Sequence, residues 1–192
     1  MTELPEVQTV VSDLQEKIVN EKIEKVEIYF DKIIDYPDKK TFICALENRK
    51  VIQVKRIAKF IVIHLDNQKF LLFHLRMSGQ LIFQDKTVDK KYQHIRLEII
   101  FQDKTILIFN EMRKFGRAYL LNPKELKKKI TNKFGADPLE ITAQNFLKIF
   151  SNRKCKIKAL LLRQDLISGL GNIYVDESLF ASKIHPETLL HD

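Results

Sequence analysis

The residues best equipped for chemistry stand at the start of the chain. In Met1-Thr2-Glu3-Leu4-Pro5-Glu6-Val7, two carboxylates, Glu3 and Glu6, lie within a few residues of the α-amino group. An unperturbed α-amine titrates at roughly 7.7–8.0, so near pH 7 a useful fraction is neutral and nucleophilic. One reading is an N-terminal amine nucleophile flanked by a general acid/base carboxylate. The element that must position these groups follows at once. Pro5 suits a first helical position, and Val7, Val10, Val11, Leu14 and Ile18 repeat with the spacing of one helix face. A helix buried along that face would carry the terminus into the body of the protein, where most termini stay loose. The other reading is an ordinary first helix with acids at its positive end. On this stretch alone the second is the simpler.

Two further constellations could bind a polyanion. His74-Leu-Arg-Met-Ser-Gly79 and Asn110-Glu-Met-Arg-Lys-Phe-Gly-Arg117 fall at the ends of expected strands, where loops project. Met77, Arg113 and Phe115 there could be wedges pushed between base steps of a duplex, or could simply pack beneath their loops. Farther on, Lys158 to Phe180 reads as a helix, a tight turn through Gly169 and Gly171, and a second helix starting near Asn172, a favoured N-cap residue. A helix N-terminus reached through glycines is a ready anion site. Just upstream, Arg153-Lys-Cys-Lys-Ile-Lys158 adds four positive charges in six residues. A phosphate clamp and a plain helical hairpin with a basic exterior both fit.

The whole chain sets the frame. Its 192 residues carry 33 Lys and Arg against 25 Asp and Glu, a net charge of +8, which suggests a polyanionic partner, nucleic acid first. An anionic membrane would draw only on net charge, since no Lys/Arg-rich amphipathic helix is evident. No apolar run reaches the eighteen or so residues of a membrane span, and the first ten residues hold no Lys or Arg. Cys44 and Cys155 make no disulfide or metal framework. The expectation is a cytoplasmic protein. Eight short strands are predicted, from Lys22–Phe30 to Gly116–Leu121, and long apolar runs such as Phe60-Ile-Val-Ile63 imply strands covered on both sides. From about Thr142 the periodicity is helical. The fold expected is α+β: an N-terminal helix with an eight-stranded β-sandwich over residues 1–122, a linker at 123–140, and a helical domain at 141–192.

Taken together, the stretches Glu3-Leu-Pro-Glu-Val7, Arg56-Ile-Ala-Lys59, His74-Leu-Arg-Met-Ser-Gly79, Arg113-Lys-Phe-Gly116 and Gly169-Leu-Gly-Asn-Ile-Tyr174 resemble the formamidopyrimidine-DNA glycosylase/endonuclease VIII family, and most closely its formamidopyrimidine-DNA glycosylase branch. They occur in that family's order. The resemblance implies a helical domain with a helix–two-turn–helix, and double-stranded DNA in the cleft between the two domains. It implies base-excision repair: removal of oxidised purines such as 8-oxoguanine and formamidopyrimidines, then lyase cleavage at the abasic site. A damaged base must leave the stack before its glycosidic bond can be reached. By the resemblance, Met77, Arg113 and Phe115 fill the gap, and the amine of Thr2, freed of Met1, attacks C1′ to form a Schiff base. Glu3 moves protons at the sugar, Glu6 shapes the surroundings of the amine, and Lys59 holds the phosphate beside the lesion and assists β-elimination. Arg153, Lys158 and Asn172 grip neighbouring phosphates, with Tyr92 where a DNA-contacting histidine is usual.

Two departures bear on the chemistry. The family's residue 2 is proline, whose iminium stays cationic; Thr2 offers a primary amine, whose imine must be protonated to act alike. The family's zinc is held by a C-terminal four-cysteine finger, and no Cys-x-x-Cys occurs here, so no cofactor is expected in this chain, which reads as a family member truncated before that finger. The expected assembly is a monomer. Two functions are therefore open: an active glycosylase/lyase, or a weak or inactive member that only binds DNA.

Overall fold

The computed structural model describes residues 2–85, 92–151 and 153–190. They divide into two compact units, residues 1–127 and 128–192.

In the first unit, α1 (Leu4–Ile18) turns Leu4, Val7, Val11, Leu14 and Ile18 inward, as its apolar spacing predicts; Val10 is only partly covered. Two sheets share that core. One has the order β1 (Ile23–Ile28), β7 (Ile95–Phe101), β8 (Thr105–Glu111), β6 (Gly79–Asp85), and every pairing in it is antiparallel. The other runs β2 (Ile34–Tyr36), β9 (Arg117–Leu121), β5 (Phe70–His74), β4 (Phe60–Leu65), β3 (Val51–Ile57). Phe73 of β5 and Phe109 of β8 meet edge-to-face at 5.2 Å, joining the sheets through a single buried cluster that includes the inner face of α1. Burying one such side chain is worth about 1.5–3 kcal/mol, so this seam fixes how the sheets stack. In β4, Phe60 through Ile63 are all buried, in keeping with a continuous apolar run covered on both sides.

The described residues form one strand more than the eight expected. The addition is β2, three residues paired in parallel with β9. Next to it lies a short helix, α2 (Lys39–Leu46), which the strand reading passed over. Asp38 caps it by accepting from the Thr41 N–H at 3.0 Å, and it buries Phe42 and Leu46.

One topological fact positions everything that follows. The connections β5→β6 and β8→β9 each cross from one sheet to the other. Both are bracketed by ladder pairs, Gly79 opposite Glu111 in the first sheet and His74 opposite Arg117 in the second. The loops 75–78 and 112–116 therefore emerge side by side.

In the second unit, α4 (Ala143–Phe150), α5 (Ile157–Leu161) and α6 (Asn172–Ala181) contribute to a small core around Leu161, Ile167, Val175 and Leu179. The preceding α3 (Pro123–Lys129) buries no side chain. Gly135 and Ala136 run beneath the α5–α6 connection, with Gly135 N–H bonded to the Gln164 carbonyl and Ala136 N–H to that of Leu166. A Cβ on Gly135 would lie 2.1 Å from the Leu166 carbonyl oxygen, so only glycine fits there. Among the described residues, no helix is long and apolar enough to cross a membrane.

Candidate functional site

The start of α1 is built as a capping box. Glu3 is the N-cap, and the Glu6 carboxylate accepts from the Glu3 N–H at 3.0 Å. This arrangement satisfies helix-end donors and fixes the direction in which the chain enters. Glu3 is fully buried. Thr2, one residue earlier, donates its backbone N–H to the Arg76 carbonyl at 3.2 Å. Thr2 and Glu6 line a cleft of about 440 Å³ together with Val10, Leu75, Gly79, Gln80 and Tyr92. Glu3 and Lys59 are not among its lining residues. Tyr92 also packs against an apolar cluster of Ile100, Ile106 and Ile108 on the first sheet.

Lys59 occupies the two-residue turn between β3 and β4, after Ala58 with φ of 53°. That left-handed conformation costs a non-glycine residue of order 1–3 kcal/mol and persists only where neighbours hold it. Arg56 is such a neighbour: its guanidinium donates to Gln8 of α1 at 2.8 Å and to the Ala58 carbonyl at 3.3 Å. Partial burial lowers the pKa of Lys59, and the charges of Glu3 and Glu6 oppose that shift. His74, at the end of β5, is driven down to about 4, first by burial and then by the positive charges of Arg76 and Lys59. Its Nδ1 accepts the Arg76 N–H at 3.2 Å, as a neutral imidazole can.

The two crossover loops meet at their tips. The Arg113 guanidinium lies 3.5 Å from the Met77 sulfur and 5.0 Å from the centre of the Phe115 ring. Met77 is 48% exposed and Phe115 50% exposed, so neither packs beneath its loop. An apolar pair held around one guanidinium at a surface suits stacking against bases.

Beneath this cluster lies a residue that the sequence did not single out. Glu111, wholly buried at the end of β8, accepts from the Ser78 hydroxyl, from Arg113 N–H at 2.9 Å and from Gly116 N–H at 2.6 Å. An acidic residue closing an apolar strand carries no periodic signal; only its partners reveal it.

In the second unit, Gly171 is the N-cap of α6 and Asn172 its first helical residue, a correction to the expected Asn cap. The turn is held by Gln164, whose side chain accepts from Gly169 N–H at 3.0 Å and donates to the Leu162 and Leu170 carbonyls. Gly169 has φ of 94°, which calls for glycine. The run of four charges is less free than its composition suggests. Lys158 pairs with Asp176 at 2.7 Å, Lys156 pairs with Glu187, and the Arg153 side chain donates to the Ile149 carbonyl at 2.6 Å. Asn172 is exposed. No group of three or more His, Cys, Asp or Glu among the described residues is placed to hold a metal ion.

Comparison with known proteins places this geometry. Residues 1–118 match the model of the formamidopyrimidine-DNA glycosylase N-terminal domain, and residues 134–192 that of the formamidopyrimidine-DNA glycosylase H2TH domain. The formamidopyrimidine-DNA glycosylase of Mycoplasma pneumoniae is 39% identical over 192 residues, covering 98% of this chain and 69% of the relative. That of Mycoplasma mobile is 41% identical over 188 residues, covering 97% and 68%. Among solved structures, the Lactococcus lactis protein in complex with DNA containing a formamidopyrimidine-dG superposes with a TM-score of 0.88 at 31% identity. It is covered over 71% of its chain by 98% of this one. The same protein with DNA containing an abasic site gives 0.87, also at 31% identity.

Proposed function

Because the chain belongs to the formamidopyrimidine-DNA glycosylase family, we propose that it binds duplex DNA at oxidised purines or abasic sites, excises the damaged base and cleaves the strand. The observation that carries this reading is the coexistence, within one unit, of the Thr2 nitrogen at a cleft and the exposed Met77–Arg113–Phe115 cluster, tied to each other through the loop 75–78. Extruding a base costs a few kcal/mol, and the exposed cluster is suited to fill the vacated stack. The cleft beside residue 2 is large enough to receive a nucleobase.

The chemistry then runs through the amine of residue 2 once Met1 is gone. Its lone pair attacks C1′. The N–C1′ bond forms while the bond to the base breaks, and the base leaves with that electron pair and takes up a proton. The nitrogen sheds a proton, and the aminal so formed opens: its C1′–O4′ bond breaks, O4′ takes up a proton, and a protonated Schiff base remains between the amine and C1′. That Schiff base makes a C2′ proton acidic, and its removal expels the 3′ phosphate. Glu3, buried against the helix start, is the proton carrier at the sugar. Lys59 holds the neighbouring phosphate. In the second unit, Arg153, Lys158 and Asn172 are the candidates for gripping phosphates, which contributes salt-dependent affinity without sequence preference.

The test is borohydride trapping on a duplex carrying 8-oxoguanine, with protein shown by mass spectrometry to lack Met1. A covalent adduct mapped to Thr2 is the expected result. DNA binding without any adduct would leave the second reading, a protein that binds damaged DNA but does not react with it.

A further inference from the structure

Glu111 has no part in the chemistry just described, yet its side chain bonds to both crossover loops. We propose that Glu111 is a positioning residue that yokes loop 75–78 to loop 112–116, so that Met77, Arg113 and Phe115 enter the DNA as one rigid wedge. The inference rests on the reading that this cluster fills the space of an extruded base.

Each partner of the carboxylate sets a different part of the wedge. Ser78 follows Met77 directly, and its hydroxyl donates to Oε1. The same oxygen receives the backbone N–H of Arg113 at 2.9 Å, so one atom joins the two loops at the residues adjoining or bearing the wedge side chains. Oε2 takes the Gly116 N–H at 2.6 Å, which fixes the backbone immediately after Phe115. Hydrogen bonds to an ionised acceptor are roughly twice as strong as neutral ones, and water does not compete for a side chain with no exposure. The fit is close on every side. A Cβ on Gly116 would come within 2.6 Å of the Phe109 ring and 2.9 Å of Oε2, and one on Gly79 within 2.5 Å of the Leu75 carbonyl. The main chain of Glu111 is itself anchored, its N–H to the His94 carbonyl at 2.9 Å and its carbonyl to the Arg96 guanidinium at 2.8 Å. The yoke is thus mounted on the sheet rather than on either loop.

Holding three side chains in one arrangement before contact removes ordering entropy from the extrusion step. Phosphate contacts, which supply most of the affinity, are untouched by it. Loss of the yoke should therefore slow extrusion far more than it weakens binding. The experiment places 2-aminopurine beside an 8-oxoguanine in a duplex and follows its fluorescence by stopped flow. Equilibrium affinity is measured at the same salt concentration. Glu111→Gln keeps the shape but turns one acceptor into a donor facing N–H groups; it should slow the fluorescence rise at least tenfold while changing the Kd less than about threefold. Glu111→Asp, which keeps both acceptors, should restore most of the rate. Ser78→Ala removes only the link to loop 75–78 and should give an intermediate rate with an unchanged melting temperature. Equal losses of rate and affinity in Glu111→Gln and Ser78→Ala, or an unaltered rate in both, would overturn the proposal. The readout precedes all chemistry, so an inert nucleophile at residue 2 does not obscure it. A wild-type protein that binds this duplex with no fluorescence change would instead remove the extrusion reading itself, and the yoke with it.

Discussion

The backbone nitrogen of Thr2 is bonded to the carbonyl of Arg76, the residue directly before Met77. The atom proposed to attack the sugar and the loop proposed to open the stack are therefore one hydrogen bond apart. Arg76 adopts φ of 57°, and its own N–H is held by His74, so the carbonyl is presented to residue 2 by a constrained turn.

This contact predicts that Thr2→Pro is tolerated and productive. A free proline amine keeps an N–H for the Arg76 carbonyl, while its iminium stays cationic without needing a proton. Single-turnover strand cleavage at an abasic site should rise about tenfold, equivalent to about 1.4 kcal/mol off the barrier. The wild-type rate should climb with pH through the roughly 7.7–8.0 range of an α-amine. Quenched-flow gels on protein lacking Met1 measure both; a slower proline variant would count against residue 2 as the nucleophile.

Lys59→Ala should separate chemistry from binding. The side chain sits in a strained turn beside Glu3 and Glu6, so its loss should lower cleavage by about 100-fold, the lower end of the range general for positioned catalytic groups. Affinity should fall by less than about threefold, as expected for one phosphate contact among several. Parallel cleavage and gel-shift titrations decide the matter. Equal losses would reduce Lys59 to an ordinary phosphate contact.

His74 predicts a signature in stability. Its pKa is depressed from 6.5 to about 4 in the folded chain, so between those values the unfolded chain binds the extra proton. The contribution is whole above pH 6.5 and is lost as the pH falls toward 4, amounting to about 3 kcal/mol at most. Urea unfolding at pH 4.5 and pH 7.5 should show wild type losing about 2–3 kcal/mol more than His74→Gln over that interval. Parallel curves would place the histidine in a wetter setting than the structure gives it.

The ion pair between Lys158 and Asp176 predicts that a carboxylate is restraining a phosphate-binding lysine. Asp176→Asn should tighten DNA binding at least twofold and steepen the dependence of log K on log salt by nearly one contact, about 0.9 in slope. Arg153→Ala should make it shallower by a similar amount. Fluorescence anisotropy across a salt series reads both.

Gly135→Ala tests the scaffold of the second unit. Its methyl would meet main-chain atoms of Leu166, which cannot rotate away. The cost should reach or exceed about 3 kcal/mol, the upper end for an overpacked site. Calorimetry should show it as a marked fall in melting temperature; a shift of less than a degree would contradict the geometry.

Much of this was written plainly in the chain. The apolar face of α1 repeats at helical spacing for four turns, and polar pairs such as Asp66-Asn67 and Asp103-Lys104 punctuate the strands. The strand β2 was hidden because three residues are too few to show alternation. The helix α2 was hidden because it buries only Phe42 and Leu46, a single i, i+4 pair that is too short a repeat to stand out. Met77 and Arg113 stood out because their types are unusual for loop tips, and Thr2 because it stands beside the start of the chain in a stretch that resembles a known family. Glu111 was not, since its role comes from Ser78 and Gly116, partners that a linear reading does not bring together. The charge of Lys156 and Lys158 was overcounted for a related reason, as Glu187 and Asp176 lie 31 and 18 positions away.

The pairing of Gly79 with Glu111 has a metric consequence. Strands advance about 3.3–3.4 Å per residue, and one strand of duplex DNA rises about 3.4 Å per base. A slip of one residue between β6 and β8 would displace one crossover loop against the other by about one nucleotide, and would also turn the inward side chains outward. The ladder thus sets the offset between the two loops, and the apolar core that forbids the slip locks it.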